Sequence, residues 1–180
     1  PVKPKTDVGP YYFYTQSNLM KKRGDIPKAI EFLRQAVTRD EGSVFLKNEL
    51  ARLYIQHNDY SQALRVMQEI LSKNPEDVQS VLMMASIYST LNRHAEAIAA
   101  FEKALALDPE SQRTYLLLGS EYVKDKVPEK ALALYRKLTK KFPDSFPGFF
   151  QMGAVAAYLK DYPLAEKAFL KCLEIKPGYE

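Results

Sequence analysis

The chain has 180 residues, a formal net charge of +4, and 46% hydrophobic and 27% charged residues. This balance is that of an ordinary globular domain and excludes wholesale disorder. One cysteine, Cys172, excludes an internal disulfide, and with only His57 and His94 beside it the sequence offers no zinc-ligand set. No apolar run approaches the roughly 18 residues of a membrane-spanning helix.

The first predicted element, residues 1–9, is a proline-bearing linker or tail that enters the fold at Pro10. From there to residue 180, apolar residues recur with helical spacing over paired stretches of about 13 residues, which predicts amphipathic helices. Short polar breaks separate the two helices of each pair. In chain order the breaks contain Arg23–Asp25, His57–Asp59, Asn92–Arg93, Lys124–Lys126 and Lys160–Asp161.

The helix pairs repeat at a constant interval of 34 residues. One series in this register is alanine throughout: Ala29, Ala63, Ala97, Ala131 and Ala165. A second holds small residues: Ser17, Ala51, Ala85, Gly119 and Gly153. A third holds large apolar ones: Leu33, Met67, Phe101, Tyr135 and Phe169. Because independent series share one interval, five repeats are predicted, beginning at Pro10, Val44, Val78, Gln112 and Phe146.

This register resembles the signature of the tetratricopeptide repeat (TPR) family, including a boundary proline at Pro75, Pro109, Pro143 and Pro177. The early tryptophan frequent in the family is replaced by Phe13, Lys47, Val81, Tyr115 and Phe149. The resemblance implies an all-α fold, a right-handed α-solenoid of five helix-turn-helix pairs. Each pair would shield its apolar face against its neighbours.

The resemblance also implies that the first helix of each pair lines a concave groove that holds a protein or peptide segment. The groove residues carried onto this chain are Tyr11, Tyr14, Asn18, Phe45, Asn48, Arg52, Gln79, Leu82, Ser86, Arg113, Leu116, Ser120 and Phe150. The full set of inner positions contains five basic residues and no acidic one, although Glu49 lies beside it. We therefore expect apolar anchors and acidic flanks in the partner. Packing between repeats is the alternative interpretation of Leu116 and Ile55.

One subgroup of the family grips the terminal carboxylate of chaperone tails with lysine and asparagine side chains. Asn18 and Asn48 occupy such places here, but Tyr14 stands at the lysine position, and Gln79 and Met83 replace the expected basic pair. The resemblance therefore predicts weak or no binding of a free EEVD tail.

Catalytic chemistry finds no support in these residues. His57 and His94 are interpreted as loop residues without a positioned partner, and Cys172 as a buried structural thiol. No histidine matches Ser86 or Ser120 in register to activate them. We predict no catalytic residue, no metal and no cofactor. The basic runs Lys21–Arg23 and 137–141 are interpreted as solvated helix ends, so no nucleic-acid partner is predicted.

An interaction scaffold or adaptor is the leading functional hypothesis. The alternatives are a docking or regulatory segment of a larger enzyme or envelope-assembly protein, and a structural spacer that uses its convex face. Residues 176–180 resemble the start of a sixth repeat, so we expect a fragment of a longer array that self-associates through its last helix. Glu166, polar at an otherwise apolar register position, is the sign against this. A soluble protein of the bacterial cytoplasm or periplasm is favoured.

Overall fold

The computed structural model describes residues 8–178, which form ten α-helices and no strand. They divide into two compact units, one ending at Met83 and one beginning at Met84. The first unit holds α1 (Pro10–Lys22), α2 (Ile26–Arg39), α3 (Val44–Gln56), α4 (Tyr60–Lys73) and the start of α5 (Val78–Thr90). The second holds the rest of α5 and α6 (His94–Leu107), α7 (Gln112–Lys124), α8 (Pro128–Lys141), α9 (Phe146–Tyr158) and α10 (Tyr162–Ile175).

Most of the predicted linker, residues 1–7, lies outside the described residues; Gly9 is the residue before α1. None of the helices in residues 8–178 is long and apolar enough to cross a lipid bilayer.

Short polar side chains begin many of the helices. Asp25, Asp59 and Asp161 each accept a hydrogen bond from a backbone N–H of the first turn that follows, at 3.2–3.3 Å. Serines do the same at α3, α7 and α9. These contacts satisfy N–H groups that lack a partner within the helix, which fixes where each helix begins.

The turn inside every pair passes through left-handed backbone at one register position. The residues with positive φ there are Gly24, Asn58, Asn92, Lys126 and Lys160, at 79°, 62°, 56°, 60° and 63°. Glycine and asparagine adopt this conformation at low cost, whereas lysine does not. The same short turn therefore reverses the chain in each pair, whichever residue occupies it.

In the first unit, small side chains let the paired helices approach closely. Ala29 and Ala63 are completely buried, and the Ser17 hydroxyl donates a hydrogen bond of 2.8 Å to the Ala29 carbonyl. Leu33 and Met67 are buried at the large-residue register. α1 packs on α2, α3 on α4, and α2 on the following α3.

The second unit repeats this arrangement through α6–α10. α7 packs on α8 and α9 on α10, while α6 and α8 each contact the first helix of the next pair. α7 also contacts α9, so successive first helices are neighbours. Tyr135 is completely buried against Gly119. The predicted all-α fold of paired helices at one register is confirmed.

Candidate protein-binding site

The predicted groove residues lie on the first helices of the pairs, and in each unit we call the face that carries them the first-helix surface. In the first unit it carries an aromatic cluster from α1 and α3. Tyr11 is 79% exposed and Phe45 57% exposed. The Tyr14 ring meets the Phe45 ring edge-on with 5.4 Å between their centroids. Large apolar side chains held at a surface in this way are typical of protein interfaces.

Three polar residues accompany the aromatic cluster. Asn18 and Asn48 are half-buried, and Arg52 is exposed. The Asn48 Oδ1 atom is buried and accepts no hydrogen bond from the described residues. The Arg52 guanidinium pairs with the Glu49 carboxylate one helical turn earlier.

The three candidates on α5 fall on either side of the boundary between the units. Gln79 and Leu82 belong to the first unit and Ser86 to the second. Gln79 and Ser86 are exposed, and Leu82 is half-buried.

In the second unit, the first-helix surface is formed by α7 and α9. Arg113 and Ser120 are exposed, Leu116 is half-buried and Phe150 is 43% exposed. Phe150 stacks on Phe146 and contacts Phe169 edge-on. A cavity of about 200 Å³ opens between the two helices, lined by Ser120, Val123, Pro128, Gln151, Ala154, Val155 and Tyr158. Of the predicted groove residues of this unit, Ser120 lines the cleft, whereas Arg113, Leu116 and Phe150 do not.

The positive charge of this surface is weaker than its residue types indicate. Arg52 is paired with Glu49, and Lys124 contacts the Glu121 carboxylate at 3.1 Å. Both acids lie just outside the inner register positions, so those positions alone do not show them. Three exposed basic residues of the first-helix surface have no acidic partner among the described ion pairs: Lys21, Lys22 and Arg113.

Sequence reasoning missed a polar network around Glu121, whose side chain is only 1% exposed. His94 Nδ1 contacts Oε1 at 2.6 Å, and the Ser89 hydroxyl donates to Oε2 at 2.6 Å. Lys124 Nζ donates to both Glu121 and Ser89. A register comparison reveals the site, because the other repeats carry an apolar residue there: Leu19, Leu53, Ile87 and Val155.

These donors control the ionisation of Glu121. Burial by itself raises the pKa of a carboxyl group. Here hydrogen bonds from His94, Ser89 and Lys124, together with the Lys124 charge, outweigh burial and hold the pKa of Glu121 below its ordinary value. The network therefore keeps a charged carboxylate inside the second unit.

The interpretation of His94 as a loop residue is wrong. His94 is the first residue of α6, and its partly buried ring contacts Glu121. The run of polar residues continues from Asn92 and Arg93 into the helix. His94 is polar because its ring contacts Glu121, and not because it lies in the turn. His57, by contrast, is exposed at the end of α3, and Cys172 is buried with a pKa raised by that burial.

A second buried charge, Lys47, occupies the position where the family often has tryptophan. Its side chain is 5% exposed and pairs with Glu69 on α4. The hydrogen bond from Lys47 holds the pKa of Glu69 below its ordinary value. The residue that departs most from the repeat pattern therefore links two helices of one pair.

Paired helices in one register, with exposed anchors on the first helices, define a helical-repeat protein of the interaction-module class. Three family models described as tetratricopeptide repeat match residues 48–112, 90–151 and 147–179. Together they span more than half of the chain, and the protein belongs to the tetratricopeptide repeat family. Members of this family are typically non-catalytic modules that bind proteins. No curated protein matches the sequence.

Solved structures of similar fold include MamA proteins and other TPR proteins. MamA residues 41–end from Desulfovibrio magneticus RS-1 gives a TM-score of 0.79 at 19% identity, covering 95% of this chain and 97% of that one. YrrB, described as a TPR protein with an unusual peptide-binding site, gives a TM-score of 0.70 at 17% identity, covering 93% of this chain and 86% of that one. A tetratricopeptide repeat protein from Parabacteroides merdae ATCC 43184 gives a TM-score of 0.79 at 18% identity, covering 94% of this chain and 68% of that one. At these identities the likeness shows the fold.

Proposed function

We propose that this protein is an interaction scaffold whose first-helix surface holds an extended or helical segment of a protein partner. The observation that carries the proposal is the aromatic cluster on α1 and α3, in which Tyr11 and Phe45 are exposed and Tyr14 is half-buried. Aromatic side chains at a surface are frequent anchors of binding energy, because a partner covers a large apolar area at little entropic cost. Phe150 and the cleft at Ser120 provide a similar anchor point on α7 and α9.

The polar residues beside the cluster give the partner's backbone a place to bind. Asn48 Oδ1 is buried and lacks a hydrogen-bond donor among the described residues. Because that atom is inaccessible, the partner's backbone would be bound by the accessible parts of the half-buried Asn18 and Asn48 amides, which can donate and accept hydrogen bonds. Acidic residues in the partner are favoured by the exposed cations Lys21, Lys22 and Arg113. They would flank the partner's apolar residues that contact the aromatic cluster.

A capture experiment with the immobilised protein and an extract of the source cells tests the proposal. One variant combines Asn18→Ala, Arg52→Ala and Arg113→Ala; another combines Tyr11→Ala and Phe45→Ala. We expect both to lose the specifically captured partner, with affinity for the purified partner falling roughly tenfold or more. Tyr162→Ala removes an aromatic ring that is similarly exposed but lies on α10, and is the matched control.

Circular dichroism of each variant establishes that the helices remain folded. Capture that is unchanged in both first-helix variants would place the binding surface elsewhere and overturn the proposal.

A further inference from the structure

Within each unit, a second kind of groove lies between the second helices of consecutive repeats, with a first helix as its floor. We call them second-helix grooves. In the first unit, the groove between α2 and α4 is occupied by Tyr54 and by Lys47 pairing with Glu69, leaving about 160 Å³. In the second unit, Tyr122 lies buried between α6 and α8. Its hydroxyl donates to Glu102 on α6 at 2.5 Å.

The last second-helix groove, between α8 and α10, lacks these side chains. The register position of Tyr54 and Tyr122 is Ala156 here, and the position of Val66 and Leu134 is Ala168. The cavity measures about 780 Å³. That volume falls within the range of about 300–1,000 Å³ typical of ligand pockets.

The floor and rim of this groove differ in chemistry. Phe149 and Met152 of α9 form an apolar floor. Phe149 is half-buried, whereas the residues that precede it in register, Tyr115 and Lys47, are buried. The floor thus presents apolar surface that the other grooves cover with their own side chains.

Basic residues dominate the rim. Arg136 and Lys140 extend from α8, and Lys167 and Lys171 from α10. Two acids share the rim, Glu166 and Glu174, and Glu174 is paired with Lys171 at 2.7 Å. Arg136 contacts Asp161 at 3.8 Å, so Lys140 and Lys167 are the basic rim residues without an acidic partner among the described ion pairs. Lys140 and Lys167 are exposed on opposite walls. A basic rim around an apolar floor complements a segment that carries one large apolar side chain between acidic residues.

We propose that the groove between α8 and α10 is a second docking site, for an acidic peptide segment that inserts one large apolar side chain against Phe149 and Met152. The site is separate from the first-helix surface and needs none of its residues. The protein would then hold two partner segments at separate sites.

The test uses a short synthetic peptide, blocked at both ends, with a central phenylalanine flanked by glutamates. A second peptide replaces the glutamates by lysines. Binding to the full chain is followed by fluorescence anisotropy, and the methyl signal of Met152, assigned with Met152→Leu, reports contact at the floor. We expect the acidic peptide alone to bind and to shift this signal.

Two kinds of groove variant test the location. Ala156→Tyr places the tyrosine of the other repeats into the groove, and Lys140→Glu with Lys167→Glu reverses the rim charge. Each is expected to weaken binding of the acidic peptide about tenfold or more. The rim variant retains the packed core, so it remains informative if Ala156→Tyr disturbs folding. Lys137→Glu with Lys160→Glu makes the same charge change at exposed positions outside the groove lining, and binding should change little.

Absence of binding overturns the proposal, as does equal binding of the lysine peptide. It is also overturned if the rim variant binds like the wild type while Arg113→Ala with Phe150→Ala abolishes binding, because the peptide then occupies the first-helix surface. That last outcome supports the proposed function and rejects the second site, so the two can fail separately.

Discussion

At the scale of single residues, α7 and α8 approach each other closely at Gly119. A Cβ atom added there would lie 2.4 Å from the ring of Tyr135, which is completely buried and cannot move aside cheaply. We expect Gly119→Ala to destabilise the protein by about 1–3 kcal/mol despite the better helix propensity of alanine. Thermal unfolding measures this as a lower midpoint. Gly42→Ala is the control, since a Cβ atom added there would lie 3.7 Å from the nearest heavy atom. Equal midpoints for both variants would contradict the packing argument.

Glu121 gives a prediction that depends on pH. Its folded-state pKa lies below the ordinary value, so its contribution to stability is fully present above the unfolded carboxyl pKa of about 4.3. That contribution is lost as pH falls through the lowered folded-state pKa. Glu121→Gln removes charge-assisted hydrogen bonds from His94, Ser89 and Lys124. We expect it to cost on the order of 2 kcal/mol at neutral pH.

Urea unfolding of wild type and Glu121→Gln at about pH 7 and about pH 3 tests this, because the difference between them should shrink at the lower pH. Glu166→Gln, an exposed acid on α10, should be neutral at both values. A Glu121→Gln penalty that is the same at both pH values would show that the lost contact is not ionic.

The two residues differ in how far the sequence predicts them. The small-residue series predicts a close approach at Gly119, and the structure has it. The network at Glu121 could not be built from the sequence, because His94 and Ser89 reach it from α6 and α5 across a turn. Its only signal is a carboxylate at a register position that is otherwise apolar. The repeat register predicts which positions are buried. It does not predict which side chains pair, because pairing depends on the distances between side chains of different helices.

At the scale of helices, the recurring element is the left-handed turn residue inside each pair. The polar breaks predict where the turns occur, but composition does not show that one residue in each has positive φ. Lys126 has φ of 60°, a conformation that costs a residue with a side chain about 1 kcal/mol. We expect Lys126→Gly to stabilise the protein by about 0.5–1 kcal/mol.

The reciprocal change supplies the matched comparison. Gly24 occupies the same register with φ of 79°, and a Cβ atom added there would meet no heavy atom within 4 Å. Gly24→Lys should therefore lose about what Lys126→Gly gains, through backbone strain alone. Equilibrium unfolding in urea measures both, and stability changes of the same sign in the two variants would reject the explanation.

At the scale of the whole molecule, repeat architecture follows from the sequence more completely than binding does. The 34-residue interval indicates helix pairs because each pair must bury its apolar face on the next, so the same positions stay apolar or small in every repeat. Binding residues have no such constraint. Arg52 shows the consequence, since its position predicts a groove cation while the neighbouring Glu49 neutralises it.

The last helix carries the remaining prediction. Leu170 is 54% exposed and Leu173 is 43% exposed on α10, one turn apart, so they form a partly exposed apolar surface at the edge of the groove between α8 and α10, which Leu170 also lines. We expect the protein to associate with itself through this surface, and Leu170→Gln with Leu173→Gln to shift the equilibrium towards monomer. Analytical ultracentrifugation over a wide concentration range measures the shift. Leu91→Gln removes a similarly exposed leucine just after α5 and should leave association unchanged. A wild-type protein that stays monomeric at every concentration would contradict this prediction. It would show that the apolar surface of α10 stays exposed to water beside the exposed Glu166 of the same helix.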